Sequence, residues 1–318
     1  MTISLIVPVF NEKENLPLLF EAVYTTMNSL NKPWEAVLVD DGSGDKSQNV
    51  LKEYAEKDPE HIRVVILRRN YGQTAAIAAG LDHAKGEIIV LLDADLQNDP
   101  ADIPMMLAKL DEGYDLVSGW RKQRKDNAFT RNFPSMIANR IISRVTGVQL
   151  HDYGCTLKAY RREVLEGFRL YGEMHRFIPV YAASVGANIT EVVVNHHPRK
   201  FGKTKYGLER TVKVILDLFT VKFLISYSSK PIYLFGGTGG LLMVFSAFIM
   251  AYLFFRRIFF FVGVTGSPLF QMSVMFFILG FQSMLMGLIA ELLVRTYHES
   301  QRKPTYTVRA RINVTKND

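Results

Sequence analysis

Four short polar clusters, each following an apolar run, are where this sequence could do chemistry. Leu91-Leu92-Asp93-Ala94-Asp95-Leu96-Gln97 sets two carboxylates and an amide just past a run of aliphatic residues. In an extended segment alternate residues point the same way, so Asp93, Asp95 and Gln97 are expected to converge. Hard oxygen ligands of this kind suit Mg2+ or Mn2+ bound together with substrate phosphates. A divalent ion there would neutralise a diphosphate leaving group as negative charge builds. A D-x-D pattern alone reads equally well as a solvated turn with two caps. Asp40-Asp41, after a neighbouring run, favours the metal. The remaining clusters are Pro8-Val9-Phe10-Asn11-Glu12, Asp40-Asp41-Gly42-Ser43 and Arg69-Asn70-Tyr71-Gly72-Gln73.

The elements that must position these clusters are legible in the pattern. Strand-length apolar runs recur at Ile3–Val9, Ala36–Val39, Val64–Leu67, Ile88–Leu92 and Leu116–Ser118. Helical stretches fall between them at Glu12–Leu30, Asp45–Glu56, Thr74–Ala84 and Ala101–Glu112. Alternation of this kind predicts an α/β fold, a mostly parallel sheet covered on both faces. Ligands of such sheets bind at the carboxyl ends of the strands, where all four polar clusters lie. Neither G-x-G-x-x-G nor G-x-x-x-x-G-K-[ST] occurs there, which argues against a dinucleotide enzyme or a P-loop ATPase.

The chain has 318 residues, 48% hydrophobic and 22% charged, which excludes a disordered or collagen-like polymer. Its single cysteine, Cys155, excludes an internal disulfide or a C-x-x-C zinc site and is read as packing. The net charge of +7 is concentrated late in the sequence. Pro231 to Phe255 runs without a charge, as does Leu269 to Ala290. Each is long enough to span a bilayer core of ~30 Å at ~1.5 Å per residue. Arginines and lysines crowd residues 199–230 and 295–318, whereas the connecting loop 256–268 holds only Arg256 and Arg257. The positive-inside rule then places the large domain and both termini in the cytoplasm. No signal peptide is read at the N-terminus, where Thr2–Phe10 leads straight into polar Asn11–Asn15. With the basic excess beside the lipid, no nucleic-acid partner is expected.

The expected domains are a catalytic unit over 1–206, a juxtamembrane amphipathic helix over 207–229, two transmembrane helices within 230–294 and a basic tail over 295–318. The helices are placed at about 231–255 and 269–293. A further amphipathic segment is expected at about 129–146, where apolar Phe133, Met136, Ile137 and Ile141 alternate with Arg131, Arg140 and Arg144. Both amphipathic segments suit the membrane interface, or plain packing on the catalytic domain.

In this order the four clusters, with Asp152-Tyr153-Gly154-Cys155, Phe201–Tyr206 and the two spans, resemble a known family. The chain resembles the family-2 glycosyltransferases of GT-A fold that act on polyprenyl phosphates. These are the GtrB-like undecaprenyl-phosphate glucosyltransferases, the undecaprenyl-phosphate 4-deoxy-4-formamido-L-arabinose transferases and, more distantly, dolichyl-phosphate mannose synthase. The resemblance implies a Rossmann-like sheet and carries roles onto matching positions. Pro8, Asn11 and Glu12 match the first nucleotide-contacting loop, and Asp40 the residue that reads uracil; helix capping is the competing reading for Glu12 and Asp40. Gly72 and Gln73 match the loop approaching the nucleotide. Asp93 would reach the ribose or the metal, while Asp95 and Gln97 would hold the metal. Arg121 matches an acceptor-phosphate arginine, Arg131 and Ser135 a second acceptor-phosphate pair. Asp152 corresponds to the carboxylate proposed as base, although an acceptor phosphate is already largely ionised at pH 7, so it could orient the acceptor instead. Arg199 and Lys205 match residues that clamp the donor diphosphate; attraction to anionic lipid is the competing reading.

The resemblance thus implies an inverting, metal-dependent enzyme, using Mg2+ or Mn2+, on the cytoplasmic face of a bacterial inner membrane. It would move one sugar, glucose for preference, from a UDP-sugar to undecaprenyl phosphate. 4-Deoxy-4-formamido-L-arabinose, a hexosamine and mannose are alternatives. A homo-oligomer, a tetramer in relatives, is expected. A processive polysaccharide synthase is disfavoured, because neither Trp34 nor Trp120 sits in a Q-x-x-R-W motif. A transport component would not need carboxylates at the strand ends.

Overall fold

The computed structural model describes residues 2–122, 139–140, 142–144, 146–166, 170, 174–198, 232–300 and 306–314. Arg131, Ser135, Arg199, Lys205, most of 129–146 and all of 207–229 lie outside the described residues. The chain divides into two units, Met1–Val221 with Pro304–Asp318, and Lys222–Lys303.

The first unit is built on an eight-stranded sheet. Its strands are β1 (Ile3–Val9), β2 (Trp34–Asp40), β3 (Ile62–Leu67), β4 (Ile88–Leu91), β5 (Leu116–Trp120), β6 (Lys158–Arg161), β7 (Ile189–Val193) and β8 (Val308–Ile312). The spatial order is β7-β5-β6-β4-β1-β2-β3-β8. β3, β2, β1 and β4 run parallel, as near-continuous aliphatic strands buried on both faces require. Helices α1 (Leu16–Ser29), α2 (Ser47–Lys57), α3 (Gln73–His83) and α4 (Ile103–Asp111) make the crossovers, and α5 (Ile178–Ser184) lies between β6 and β7. One sheet face packs Leu5, Val7, Leu38 and Val90 against Leu19, Phe20, Met106 and Leu107. On the other face α3 comes so close that a Cβ on Gly80 would strike Ile6.

Three helices begin later than the pattern predicts, α2 among them at Ser47 rather than Asp45. α1 starts at Leu16 rather than Glu12, with Asn11 at φ 54° and a proline in the first turn. α4 starts at Ile103 rather than Ala101, behind a 3-10 turn capped by Asp99, whose side chain accepts from the Ala101 amide.

The antiparallel strands are the main correction. β6 is inserted between β4 and β5. β8 lies in the stretch expected to be only a basic tail, yet it pairs with the outer edge of β3. Its Val-Arg-Ala-Arg-Ile alternation half-buries the apolar residues and leaves the arginines exposed, as an edge strand allows. The Thr307 carbonyl accepts from the Arg68 amide, and the Tyr306 hydroxyl donates to Asp82 of α3.

The second unit contains α6 (Ile232–Phe260) and α7 (Pro268–Ser300). Within them Phe235–Phe260 and Pro268–Ile289 are long and apolar enough to cross a membrane. A Cβ on Gly239 would lie 2.5 Å from the Gly280 carbonyl, so only glycine permits this approach. The Ser246 and Ser273 hydroxyls lie 3.0 Å apart between the helices.

Candidate active site

The polar rim is assembled by loops tied to one another. The β1–α1 and β2–α2 loops are joined by backbone amides on side chains. Asn11 N–H donates to Ser43 Oγ (2.9 Å), Glu12 N–H to Ser47 Oγ (3.1 Å) and Lys13 N–H to Asp45 (3.0 Å), while Asn11 Oδ1 accepts from Gly44 N–H (2.8 Å). Glu12 itself accepts from Asn15 Nδ2 at 2.6 Å, at the head of α1. Pro8 lies in β1 opposite Val39.

Asp40 ends β2, fully buried, and accepts from Ser43 N–H (3.2 Å) and Gln48 Nε2 (2.8 Å). Its Oδ1 is buried and receives no hydrogen bond. Asp41 joins the next loop, accepting from Tyr71 N–H (2.7 Å) and Gly72 N–H (2.9 Å). Burial raises the Asp41 pKa, and those two amides hold it partly back. Gly42, at φ 72°, sits so near Arg69 that a Cβ would lie 2.5 Å from its carbonyl carbon. Gly72 heads α3, and the first side chain of that helix, Gln73, donates to Asp93 at 2.8 Å.

Asp93 and Asp95 follow β4, but not in the extended form assumed from the pattern. Leu96 adopts φ 58°, so the segment folds into a turn. Gln97 comes back onto Asp95 by that route, its backbone N–H and Nε2 donating at 3.2 and 3.0 Å. Convergence of Gln97 on Asp95 is thus achieved by a left-handed residue rather than by strand alternation. The other end of the Gln97 amide, Oε1, faces His196 Nε2 at 3.2 Å. His197 N–H donates to the Gln97 carbonyl at 2.9 Å. These two histidines are the seat of the Gln97 turn.

Burial, followed by the neighbouring Asp95 charge, pushes the Asp93 pKa up to about 6, against a hydrogen bond from Thr156 and the charges of Arg121 and Lys158. Asp93 therefore feels the charges of both Asp95 and Arg121, the latter together with its partner. That partner is Asp152. Arg121 Nε donates to one carboxylate oxygen at 2.7 Å and Nη2 to the other at 3.1 Å. Among the described residues no group of three His, Cys, Asp or Glu side chains forms a complete metal cage. Two mutually repelling carboxylates with a side-chain amide do fit an ion such as Mg2+, which is ordinarily held by one or two carboxylates plus substrate phosphates.

Comparison with known proteins decides the family. The model of glycosyl transferase family 2 matches residues 4–168. The chain belongs to glycosyl transferase family 2. A dodecaprenyl-phosphate galacturonate synthase of Rhizobium johnstonii is 43% identical over 97% of this chain and 92% of its own length. An undecaprenyl-phosphate 4-deoxy-4-formamido-L-arabinose transferase of Shewanella sediminis is 38% identical over 96% of this chain and 91% of its own. Among solved structures, glucosyl-3-phosphoglycerate synthase of Mycobacterium tuberculosis shares the fold. Its complex with Mn2+, UDP and phosphoglyceric acid superposes with a TM-score of 0.53 at 18% identity, over 70% of this chain and 78% of that one. Its complex with Mg2+ and UDP gives 0.53 at 17% identity, over 72% and 81%. The protein is a glycosyltransferase of the GT-A fold.

The antiparallel strand β6 and the residues around it escaped sequence reading. Thr156, Lys158 and Glu191 all hold the site, and none lies in a recognisable motif.

Proposed function

We propose that this family-2 glycosyltransferase moves one sugar from a UDP-sugar to undecaprenyl phosphate, or a similar polyprenyl phosphate, at the cytoplasmic face of a bacterial membrane. The observation that carries the reading is the two-pronged Arg121–Asp152 pair within electrostatic reach of Asp93, whose other charged neighbour is Asp95: a donor-side carboxylate pair adjoins a cation suited to an acceptor phosphate. Both relatives named above are transferases or synthases of polyprenyl-phosphate sugars.

On the donor side, Pro8, Asn11, Glu12, Asp40, Gly72 and Gln73 line the nucleotide loops. Uracil N3–H would supply the donor that Asp40 Oδ1 lacks. Asp93 and Asp95 would hold Mg2+ or Mn2+, joined by Gln97 once its amide turns Oε1 away from His196. When bound, the ion offsets the charge that accumulates on the departing UDP. Arg199 and Lys205 would hold the diphosphate. On the acceptor side, Arg121, Arg131 and Ser135 would bind the lipid phosphate, guanidinium groups matching phosphate oxygens in a planar fork. A phosphate oxygen forms the new bond to the anomeric carbon as the bond to UDP breaks, with inversion. The phosphate nucleophile is already ionised, so Asp152 acts mainly by releasing Arg121 and orienting the acceptor.

Two spans return the chain to the side it left, which agrees with β8 joining the catalytic sheet. A homotetramer is the assembly we expect. Glucose, galacturonate and 4-deoxy-4-formamido-L-arabinose are the sugars to compare, the last two because relatives are named for them.

The test is a transfer assay on detergent-purified protein with undecaprenyl phosphate and radiolabelled UDP-sugars, with and without Mn2+. A Mn2+-dependent lipid-linked product that disappears in Asp95→Ala, with membrane insertion intact, is expected. Full activity in Asp95→Ala would refute the metal assignment.

A further inference from the structure

Lys158 is a buried cation without a part in the reaction just described. It lies in β6, opposite Leu91 of β4 on one side and Ser118 of β5 on the other, and is 2% exposed. Among the described residues no carboxylate lies within ion-pair distance of it. Its ammonium donates instead to two backbone carbonyls, that of Tyr153 at 3.3 Å and that of Cys155. Drying an ammonium is costly, and burial accordingly lowers its pKa. A stability role alone would be served as well by an apolar side chain of similar length.

What the ammonium grips is the short segment between the two halves of the site. Residues 152–156 carry Asp152 at one end and Thr156 at the other, where the Thr156 side chain is close enough to Asp93 to stabilise its charge. Three strands each hold one part of this segment. Arg121, just beyond β5, takes the Asp152 carboxylate. Glu191 of β7 accepts from the backbone amides of His151 at 2.8 Å and Asp152 at 3.4 Å. Lys158 of β6 takes the carbonyls on either side of Gly154, whose own N–H donates to Asp152 at 3.1 Å. Removing the β6 clamp would leave Asp152 and Thr156 attached to their partners but free to change their separation.

We propose that Lys158 is a positioning residue for transfer: by clamping the Tyr153 and Cys155 carbonyls it fixes the distance between the Asp152–Arg121 pair and Asp93. The proposal rests on the polyprenyl-phosphate reading given above.

The experiment uses full-length protein in detergent, as wild type, Lys158→Met, Lys158→Arg and Tyr160→Phe. UDP sites are counted calorimetrically in Mn2+, and kcat is expressed per UDP-binding site, so that unfolded protein does not enter the rate. A misplaced group costs on the order of 100-fold, and Lys158→Met is expected to lose about that much kcat per site. Its KM for the UDP-sugar and its UDP stoichiometry should stay close to wild type. Lys158→Arg keeps charge and donors, and a small cavity lined by Lys158, Ile77, Leu91 and His175 leaves room beside it. It should lie nearer wild type than Lys158→Met. Tyr160→Phe removes a neighbouring buried hydroxyl and should transfer normally. Wild-type kcat per site in Lys158→Met would overturn the proposal, as would activity falling only in step with UDP sites, or Lys158→Arg slower than Lys158→Met. Should Lys158→Met fail to fold, a Lys158→Gln variant, which retains one neutral donor, decides by the same per-site rate. Failure of the wild type to glycosylate undecaprenyl phosphate at all would strike the parent reading instead, and is seen before any variant is compared.

Discussion

Arg121 and Asp152 form a two-pronged, largely buried ion pair, with Nε–Oδ2 at 2.7 Å, Nη2–Oδ1 at 3.1 Å and side chains 14% and 3% exposed. The arginine matched to the acceptor phosphate and the carboxylate matched to the base are therefore bound to each other. While Asp152 is so held, both of its carboxylate oxygens are engaged by the guanidinium. A second anion with the same fork geometry, such as a phosphate, is the natural competitor for Arg121.

This pairing makes a stability prediction that is separable from chemistry. Arg121→Met strands a buried carboxylate and should destabilise the protein by about 3–5 kcal/mol. The double variant Arg121→Met/Asp152→Leu replaces the pair with apolar groups and should regain most of that loss while remaining inactive. Denaturant unfolding in detergent, run beside the transfer assay, checks both halves. Additive destabilisation in the double variant would show that the two side chains do not depend on each other.

Asp93 predicts a pH dependence. Burial and the Asp95 charge raise its pKa to about 6 from the ordinary 3.8. Between those values the native protein keeps a proton that the unfolded chain has lost, so stability falls as pH rises from about 4 to about 6 and then levels. Melting curves taken in chelator should show this slope in the wild type and a flatter one in Asp93→Asn. Adding Mn2+ at pH 7 should raise the wild-type midpoint, because a ligand that binds only the native state stabilises it. Asp95→Ala should lose that rise.

Asp41 predicts a donor-side phenotype. Its carboxylate is the tie between the β2–α2 loop and the Tyr71 and Gly72 amides. Asp41→Ala removes two charge-assisted hydrogen bonds, each worth about 1.5–3 kcal/mol, and frees the loop that precedes Gln73. The KM for the UDP-sugar should rise at least tenfold, with the KM for the lipid acceptor unchanged. Gly42→Val should act in the same direction, since its Cβ would collide with the Arg69 backbone. Equal rises in both KM values would detach Asp41 from the donor.

The parallel half of the fold was legible because Ile3–Val9, Trp34–Asp40 and Ile88–Leu91 are dominated by aliphatic residues, and each leads within two residues into a polar cluster. β6 was not, since it opens on Lys158 and closes on Arg161, and a buried ammonium on two carbonyls has no sequence pattern. β8 was hidden by its arginines, which read as a tail although the Val308–Ile312 alternation is that of a half-buried edge. At the rim, the residues of the Asp93–Gln97 cluster were legible and their geometry was not. Nothing in the letters shows that Leu96 turns left-handed and folds Gln97 onto Asp95. The seat formed by His196 and His197 is contributed from nearly a hundred residues away, with Gln97 and His196 99 positions apart.

The helical pair offers a test that is independent of the catalytic unit. Gly239 and Gly280 touch backbone to backbone, and Ser246 and Ser273 share hydrogen bonds, with the two Oγ atoms 3.0 Å apart. Small residues let membrane helices approach closely where no water drives them together. Ser246→Cys with Ser273→Cys should therefore form an intramolecular disulfide under mild oxidation, and buried Cys155, the single native cysteine, should not compete. A protease site placed in the 261–267 loop would reveal it, because the cut halves would stay joined until reduced. Adding Gly280→Leu should abolish the cross-link, since a Cβ there already lies 2.6 Å from the Gly239 carbonyl. If the cross-link survived Gly280→Leu undiminished, the glycine contact would not be what holds the helices at this spacing.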